Sequence, residues 1–330
     1  MENEVRIAGN CERCAHSTVA VSVVMPLFNK EHSVERAIRS VLAQTVVDFE
    51  LIVVNDGSTD EGPDRVRAIN DARIRIINQP HDGVSAARNR GIGVARADLI
   101  AFLDADDEWE HDFLATVVRL RENFPSCNVV ATNYFLCGNR HKRPAIIRGL
   151  PEGFKEGILH DYFAIAAHSD PPLWTSAVAV TKHSITSVNG FPLGITSGED
   201  LLTWARLAAR YDIAYSSEEK AYFWAPTLIT DRPGRLPQTP DIVGRELAQI
   251  RQEGNPDRTK KIEKYLALWH RMRANTYIRL GNTVAARREL LDAMKYATNF
   301  KLFLLYGITM FPKKFAAKVL ETKCGFASGK

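Results

Sequence analysis

Four apolar runs, each followed by a helical stretch across a short connection, most constrain what this 330-residue chain can fold into. AVSVVM (Ala20 to Met25) is rich in β-branched residues, and Glu31 to Ala43 then carries apolar residues at helical spacing. ELIVVN (Glu50 to Asn55) repeats the strand signal ahead of a polar helix over Gly62 to Ile69. RIRIINQ (Arg73 to Gln79) alternates, Val84 to Ala95 reads as helix, and DLIAFL (Asp98 to Leu103) reads as a fourth strand. Continuous apolar strands alternating with helices predict an α/β fold, with a mostly parallel central sheet and helices on both faces. In such sheets ligands bind beyond the carboxyl ends of the strands, so the polar groups after each strand are the first candidates for a site.

Beyond the fourth strand come an amphipathic helix (His111 to Phe124), a strand-like run (Cys127 to Leu136) and a looser segment, Gly138 to Pro172. Ser176 to Thr181 reads as a strand, and Gly198 to Tyr211 opens a helix. APTLITDRPGRLPQTPD (Ala225 to Asp241), rich in proline and turn residues, reads as a mobile loop into a second module. From Asp241 the pattern is helix only, with two amphipathic helices joined at Leu280-Gly281-Asn282. The expected organisation is a flexible tail over residues 1–17, an α/β domain over 18–238 and an all-helical extension over 239–330. The last segment mixes large apolar residues with lysine, five lysines against one glutamate from Lys313 to Lys330. It suits either a helical cap on the α/β domain or an interfacial segment on an anionic membrane.

A hydrophobic content of 45% with 25% charged residues fits a soluble protein with a sizeable core. A net charge of +4, with no basic run interleaved with aromatics, gives no support to nucleic-acid binding. The five cysteines are scattered rather than arranged as a disulfide framework, so a reducing cytosol is the expected compartment. Peripheral contact with the inner face of the cytoplasmic membrane would follow if the basic segment is interfacial. The N-terminal stretch lacks a signal-peptide layout, and no run reaches the ~18 apolar residues of a spanning helix. Cys11, Cys14 and His16 make half of a zinc-like set, but no second ligand pair follows at finger spacing. They are read as incidental thiols in the tail.

The strand ends are more informative. Pro26 is expected to stop the first strand, with Asn29 and Glu31 beside the helix start. Asp56 and Asp60 flank a turn at Gly57, Arg88 opens the helix after the third strand, and the fourth delivers Asp104, Asp106 and Asp107. Taken singly, DGSTD is a turn and helix cap, and an acid cluster is a solvated helix start. Together at one edge they supply an acid for base or ribose donors, an arginine for phosphate and a carboxylate pair for a divalent cation. That is the chemistry of a nucleotide-diphosphate site. Neither GxGxxG nor GxxxxGK[ST] is present, which argues against dinucleotide-binding dehydrogenases and P-loop NTPases.

SVVMPLFNKEHSVERAIRSVLAQT, FELIVVNDGSTDEG, DGVSAARNRGIGVARADLIAFLDADDEW and SGEDLLTWARLA resemble, in order, the motifs of family 2 glycosyltransferases of the GT-A fold. The resemblance spans Val19 to Tyr211 and leaves the helical extension outside it. It implies a GT-A nucleotide-sugar-binding fold and an inverting, metal-dependent transfer from a nucleotide-diphosphate sugar, UDP-linked, to a hydroxyl of a glycan or lipid-linked acceptor. The implied class is a hexosyl- or N-acetylhexosaminyltransferase of surface polysaccharide synthesis. Pro26, Phe28, Asn29 and Glu31 would line the base and ribose, and Asp56 would accept from the base imide. Arg88 would sit by the base or diphosphate, Asp104 near the ribose and Asp106 on Mn²⁺ or Mg²⁺.

Asp107 is read as the cap of the following helix. In the GED segment, Asp200 is the expected general base, with Glu199 as an acceptor contact or the alternative base. Trp174 would stack on a sugar or pack, whereas Trp204, inside a helix, is expected to pack. The chain departs from the family pattern in ITDRPGRLPQ, where a His-containing basic loop is usual; Arg232 and Arg235 are expected to clamp the diphosphate there instead. Two other classes compete with transfer. A phosphatase would place DxD after its first strand rather than its fourth, and a non-catalytic sugar-nucleotide-binding or scaffold protein would tend to lose Asp104, Asp106 and Asp200.

Overall fold

The computed structural model describes residues 19–138, 141–224, 235–254 and 256–311. The readings placed on Cys11, Cys14, His16, Arg232 and the C-terminal lysines lie outside the described residues.

The four expected strands form as β1 (Val21–Leu27), β2 (Phe49–Asp56), β3 (Ile74–Gln79) and β4 (Leu99–Phe102), parallel in the order β3-β2-β1-β4. Helices α1 (Val34–Leu42), α2 (Gly62–Arg67) and α3 (Val84–Val94) make the connections between them. The sheet continues beyond β4 through strands from the second half of the α/β region. Short β5 (Glu108–Trp109) precedes α4 (Phe113–Asn123) and β6 (Val129–Cys137), with β7 (Lys142–Pro144) and β8 (Glu156–Ile158) at its margin. Then come α5 (Tyr162–Ala166), β9 (Val178–Thr181), α6 (Lys182–Ser187), α7 (Glu199–Ala208) and β10 (Ile213–Trp224). Among the described residues the sheet has ten strands in the order β3-β2-β1-β4-β9-β6-β10-β5, with β7 on β6 and β8 on β10. β9 runs antiparallel to both β4 and β6, so parallel pairing is broken at mid-sheet.

Alternate residues of one strand feed opposite cores. Val21, Val23 and Met25 pack beneath α1 and α4, whereas Val24 joins Ile52, Val54, Ile100 and Phe102 on the other face under α3 and α7. There α3 lies directly on β1: a Cβ on Gly91 would fall 2.4 Å from Val24 Cγ1.

Two strand expectations need correction. Pro26 does not stop β1, because it pairs with Val54 and the strand runs on to Leu27. Val24 O accepts from Leu103 N, so Pro26, two residues on, faces the side where β4 has already ended and no N–H is required. β10, a 12-residue strand, went unread because Ser217 to Lys220 interrupts its apolar alternation and the register shifts there.

The extension folds as α8 (Ile242–Gln252), α9 (Pro256–Arg279), α10 (Thr283–Tyr296) and α11 (Phe300–Ile308), with the α9–α10 joint at Leu280–Asn282 as expected. Val243 and Leu247 of α8 and Ile262, Tyr265, Leu266 and Trp269 of α9 share one core with Leu202 and Trp204 of α7. The later half of α9 packs with α10 and α11 in a separate cluster. No described helix is long and apolar enough to cross a membrane.

Candidate active site

The loops after β1 and β2 are tied together by the residues expected around a base. Asn29, at φ +50°, accepts from Thr59 N through Oδ1 at 2.8 Å, and its own N–H donates to Ser58 Oγ at 3.2 Å. Glu31 N donates to Asp60 Oδ2 at 2.8 Å, and Glu31 Oε2 accepts from Glu61 N at 3.0 Å. Short polar side chains thus substitute for backbone pairing where the strands diverge.

Phe28, in the same loop, stacks on His81 with centroids 3.9 Å apart and planes at 18°. The buried Asp56 carboxylate lies beside that stack and accepts from Gln79 Nε2, Asp82 N and Gly83 N at 2.7, 3.0 and 2.9 Å. His81 Nδ1 is 2.9 Å from Asp56 Oδ2. Three protein donors and the neighbouring His81 ring therefore already surround the acid expected to read the base.

Arg88, on the buried face of α3, lies between two acids: Nη2 is 2.8 Å from Asp104 Oδ1 and Nη1 is 3.3 Å from Glu199 Oε1. Its guanidinium also lies over the Phe191 ring at 4.9 Å. Burial opposes its charge, but Asp104 and then Glu199 outweigh that and hold the proton more firmly than usual. Asp106 is part-exposed, with Oδ2 2.5 Å from Lys30 Nζ and its carbonyl accepting from Arg36 Nη2 at 2.6 Å. Lys30 and His81 carried no signal in the sequence, being single residues in loops.

Asp107 is not the cap expected of it. The N-cap position of α4 falls at Asp112, whose side chain makes no capping hydrogen bond, because β5 intervenes between the acid cluster and the helix. Asp107 is buried, accepting from Ser176 Oγ at 2.6 Å, Trp174 Nε1 at 3.1 Å and Trp224 N at 3.2 Å. Burial, then repulsion from Asp104 and Asp106, pushes its carboxyl up to about 8. Trp174 is thereby anchored, leaning on Phe223 at 4.1 Å and stacked with Tyr134. Trp204 is buried between Phe102 and Phe191, as expected for packing.

Glu199 and Asp200 open α7 immediately after Gly198, which adopts φ +84°. Burial first, and Asp200's charge second, push the Glu199 carboxyl up to about 7 against the pull of Arg88. Asp200 is also raised by burial, with Arg88 pulling it back, and it accepts from Leu201 N at 2.7 Å. Arg235 is exposed in the segment leading to α8.

Asp104 and Asp106 offer hard carboxylate oxygens of the kind Mg²⁺ and Mn²⁺ prefer. Among the described residues no hydrogen bond reaches Asp104 Oδ2 or Asp106 Oδ1. By donor chemistry, these two carboxylates suit a divalent cation.

Residues 22–175 match the family model described as Glycosyl transferase family 2. Over those residues the chain is similar to glycosyltransferase family 2. That match covers every strand-end residue above and stops before Glu199. The uncharacterized glycosyltransferase EpsJ of Bacillus subtilis (strain 168) is 46% identical over 89 residues, covering 26% of each chain. An uncharacterized glycosyltransferase of Rickettsia felis is 31% identical over 202 residues, 60% of this chain and 32% of that one. The chain spans 26% to 49% of the length of the first curated relatives it matches. The solved S. aureus TarS 1–349, in complex with UDP-GlcNAc, has a TM-score of 0.65 over 94% of this chain and 92% of that one. At 15% identity this is a likeness of fold, the GT-A fold with helices after the α/β region.

Proposed function

We propose that this chain is a family 2 glycosyltransferase, inverting and metal-dependent, that moves a sugar from a UDP-linked donor to a hydroxyl of a glycan or lipid-linked acceptor. The observation that carries the reading is the guanidinium of Arg88. It pairs with Asp104, from the strand-end acids, and with Glu199, from the GED segment, which supports reading donor-side and acceptor-side acids as one site. TarS, of the same fold, was solved with UDP-GlcNAc, which makes that donor the first to try and an N-acetylhexosaminyl transfer the first specificity to test.

Asp104 and Asp106 would hold the cation, which when bound neutralises charge developing on the departing diphosphate. Phe28 would stack on the base with Asp56 beneath it, once His81 gives way. Asp200 takes the proton of the acceptor hydroxyl from the face opposite the leaving group. Burial that raises a carboxyl toward neutrality suits it to that task. Glu199 keeps Arg88 aimed into the site or contacts the acceptor, and Arg232 and Arg235 would meet the diphosphate.

A panel of nucleotide sugars, assayed for hydrolysis and transfer with and without Mn²⁺, tests the reading. Metal-dependent release of UDP is expected, and binding without turnover would favour a sugar-nucleotide-binding protein. Surface polysaccharide synthesis at the inner face of the membrane is part of the same proposal. Phe300, 81% exposed on α11, with Phe303, Met310 and Phe311 and the lysines beyond, suits an anionic bilayer. Co-sedimentation with phosphatidylglycerol vesicles, lost in 0.5 M-range salt screening or in Phe300→Ser, checks it.

A further inference from the structure

The first turn of α7, which carries Glu199 and Asp200, is braced from outside the α/β region. A Cβ on Gly198 would lie 2.5 Å from Trp269 Cη2 and 2.6 Å from Cζ3, so the α9 indole occupies the space a side chain would need. With φ +84°, Gly198 is in a region other residues rarely enter, and the indole lies directly against it. We propose that Trp269 of the helical extension is a positioning residue that sets the start of α7 and thereby the aim of Glu199 and Asp200.

The indole is itself immobilised. It is buried, and Nε1 donates to Asp241 Oδ2 at 3.0 Å, with Oδ1 at 3.2 Å. Asp241 caps α8 by accepting from Gly244 N at 2.9 Å, and Arg273 Nη1 lies 3.5 Å from it. Arg273 in turn donates to Glu289 Oε1 at 2.8 Å and to Gln238 O at 3.1 Å. Asp241, His270 and Glu289 bring ligand atoms within 4.8 Å of one another, as a metal site would. The Arg273 guanidinium already lies against two of those three residues, so the cluster acts as an ion-pair anchor. One turn before Trp269, Tyr265 puts its hydroxyl 3.3 Å from that of Tyr162. Burial first, and Asp200's charge among the lesser causes, raises both hydroxyls. Tyr265 and Trp269, four apart, thus lie on one face of α9, with Trp269 against Gly198 at the start of α7. A contiguous path runs from Glu289 through Arg273, Asp241, Trp269 and Gly198 to Glu199, Arg88 and Asp104.

The assignment rests on the glycosyl-transfer reading of those acids. Displacing a catalytic group by about 1 Å costs up to ~100-fold in rate, whereas an indole that only filled space would affect stability alone. The experiment measures kcat, donor KM and the Kd for UDP in the full chain and in Trp269→Leu, Trp269→Phe and Gly198→Ala. Trp269→Leu is expected to lower kcat about tenfold or more, with the Kd for UDP unchanged. Trp269→Phe, which keeps a ring against Gly198, should restore most of the rate. Gly198→Ala, which drives a methyl into the indole, should lower kcat as well. An unchanged kcat in Trp269→Leu, or a rate lost only in proportion to UDP binding, overturns the assignment. If Trp269→Leu does not fold, Gly198→Ala decides, and an unchanged kcat there overturns it. A wild-type chain that binds UDP but turns over no nucleotide sugar overturns the glycosyl-transfer reading and this one together.

Discussion

Arg88 on α3 and Glu199 on α7, 111 positions apart in the chain, face each other with Nη1 and Oε1 separated by 3.3 Å. The same guanidinium reaches Asp104 at the end of β4. A buried cation shared by two acids costs more to remove than a surface pair, because each part-buried acid is then left uncompensated.

Arg88→Met should therefore destabilise the fold by about 3–5 kcal/mol, an order-of-magnitude figure for breaking a buried pair. It should also abolish turnover. Urea denaturation of the variant checks this, and a midpoint equal to wild type would show that the pair carries no such weight.

Asp106→Ala makes the contrasting case. Its pair with Lys30 is about 40% exposed on both sides, so stability should change by only ~0–1 kcal/mol. Mn²⁺-dependent UDP-sugar hydrolysis should nonetheless disappear. Full metal-dependent activity in this variant would remove Asp106 from the metal pair.

Asp200→Asn should keep its affinity for UDP while losing ~10²–10⁴-fold in transfer, the range typical of a general base. Titration calorimetry and initial rates separate the two readouts. Transfer at the wild-type rate would move the role of base to Glu199.

Glu199 gives a pH signature. In the unfolded chain its carboxyl releases its proton near 4.5, whereas in the fold burial and Asp200 hold it to about 7. Unfolding thus releases a proton between those values, so this contribution to stability is complete below about 4.5 and is lost as pH rises to about 7. Glu199→Gln cannot titrate and should flatten that part of the stability–pH curve. An identical slope in wild type and variant would contradict the assignment.

His81 occupies the face of Phe28 and one oxygen of Asp56, the two contacts proposed for a base. His81→Ala should then bind UDP more tightly, by calorimetry or thermal shift, because no imidazole has to be displaced. Weaker binding would mean that His81 is itself part of the base site.

Much of this was legible in the chain. Apolar runs with helical spacers announced β1, β2 and β4, because a strand buried on both faces has no room for polar alternation, and alternation announced the edge strand β3. The placement of Asp56, Arg88 and Asp104 at strand ends followed from that topology. Pro26 and Asp107 were misread for one reason: their roles depend on where a neighbouring strand ends or begins. β10 was hidden because its charges find partners far off in the chain, Lys220 with Asp112 at the start of α4 at 2.7 Å, a compensation invisible in one dimension.

The sequence by itself determined which groups stand at the edge of the parallel strands, since local periodicity sets strand length and strand length sets where each loop begins. Tertiary structure alone decided how those groups pair: Arg88 shared between Asp104 and Glu199, Asp107 turned inward, and Trp269 placed behind Gly198. Such pairings join residues tens to more than a hundred positions apart. Burial and charge choose them only after the core has closed, so no local pattern could have announced them.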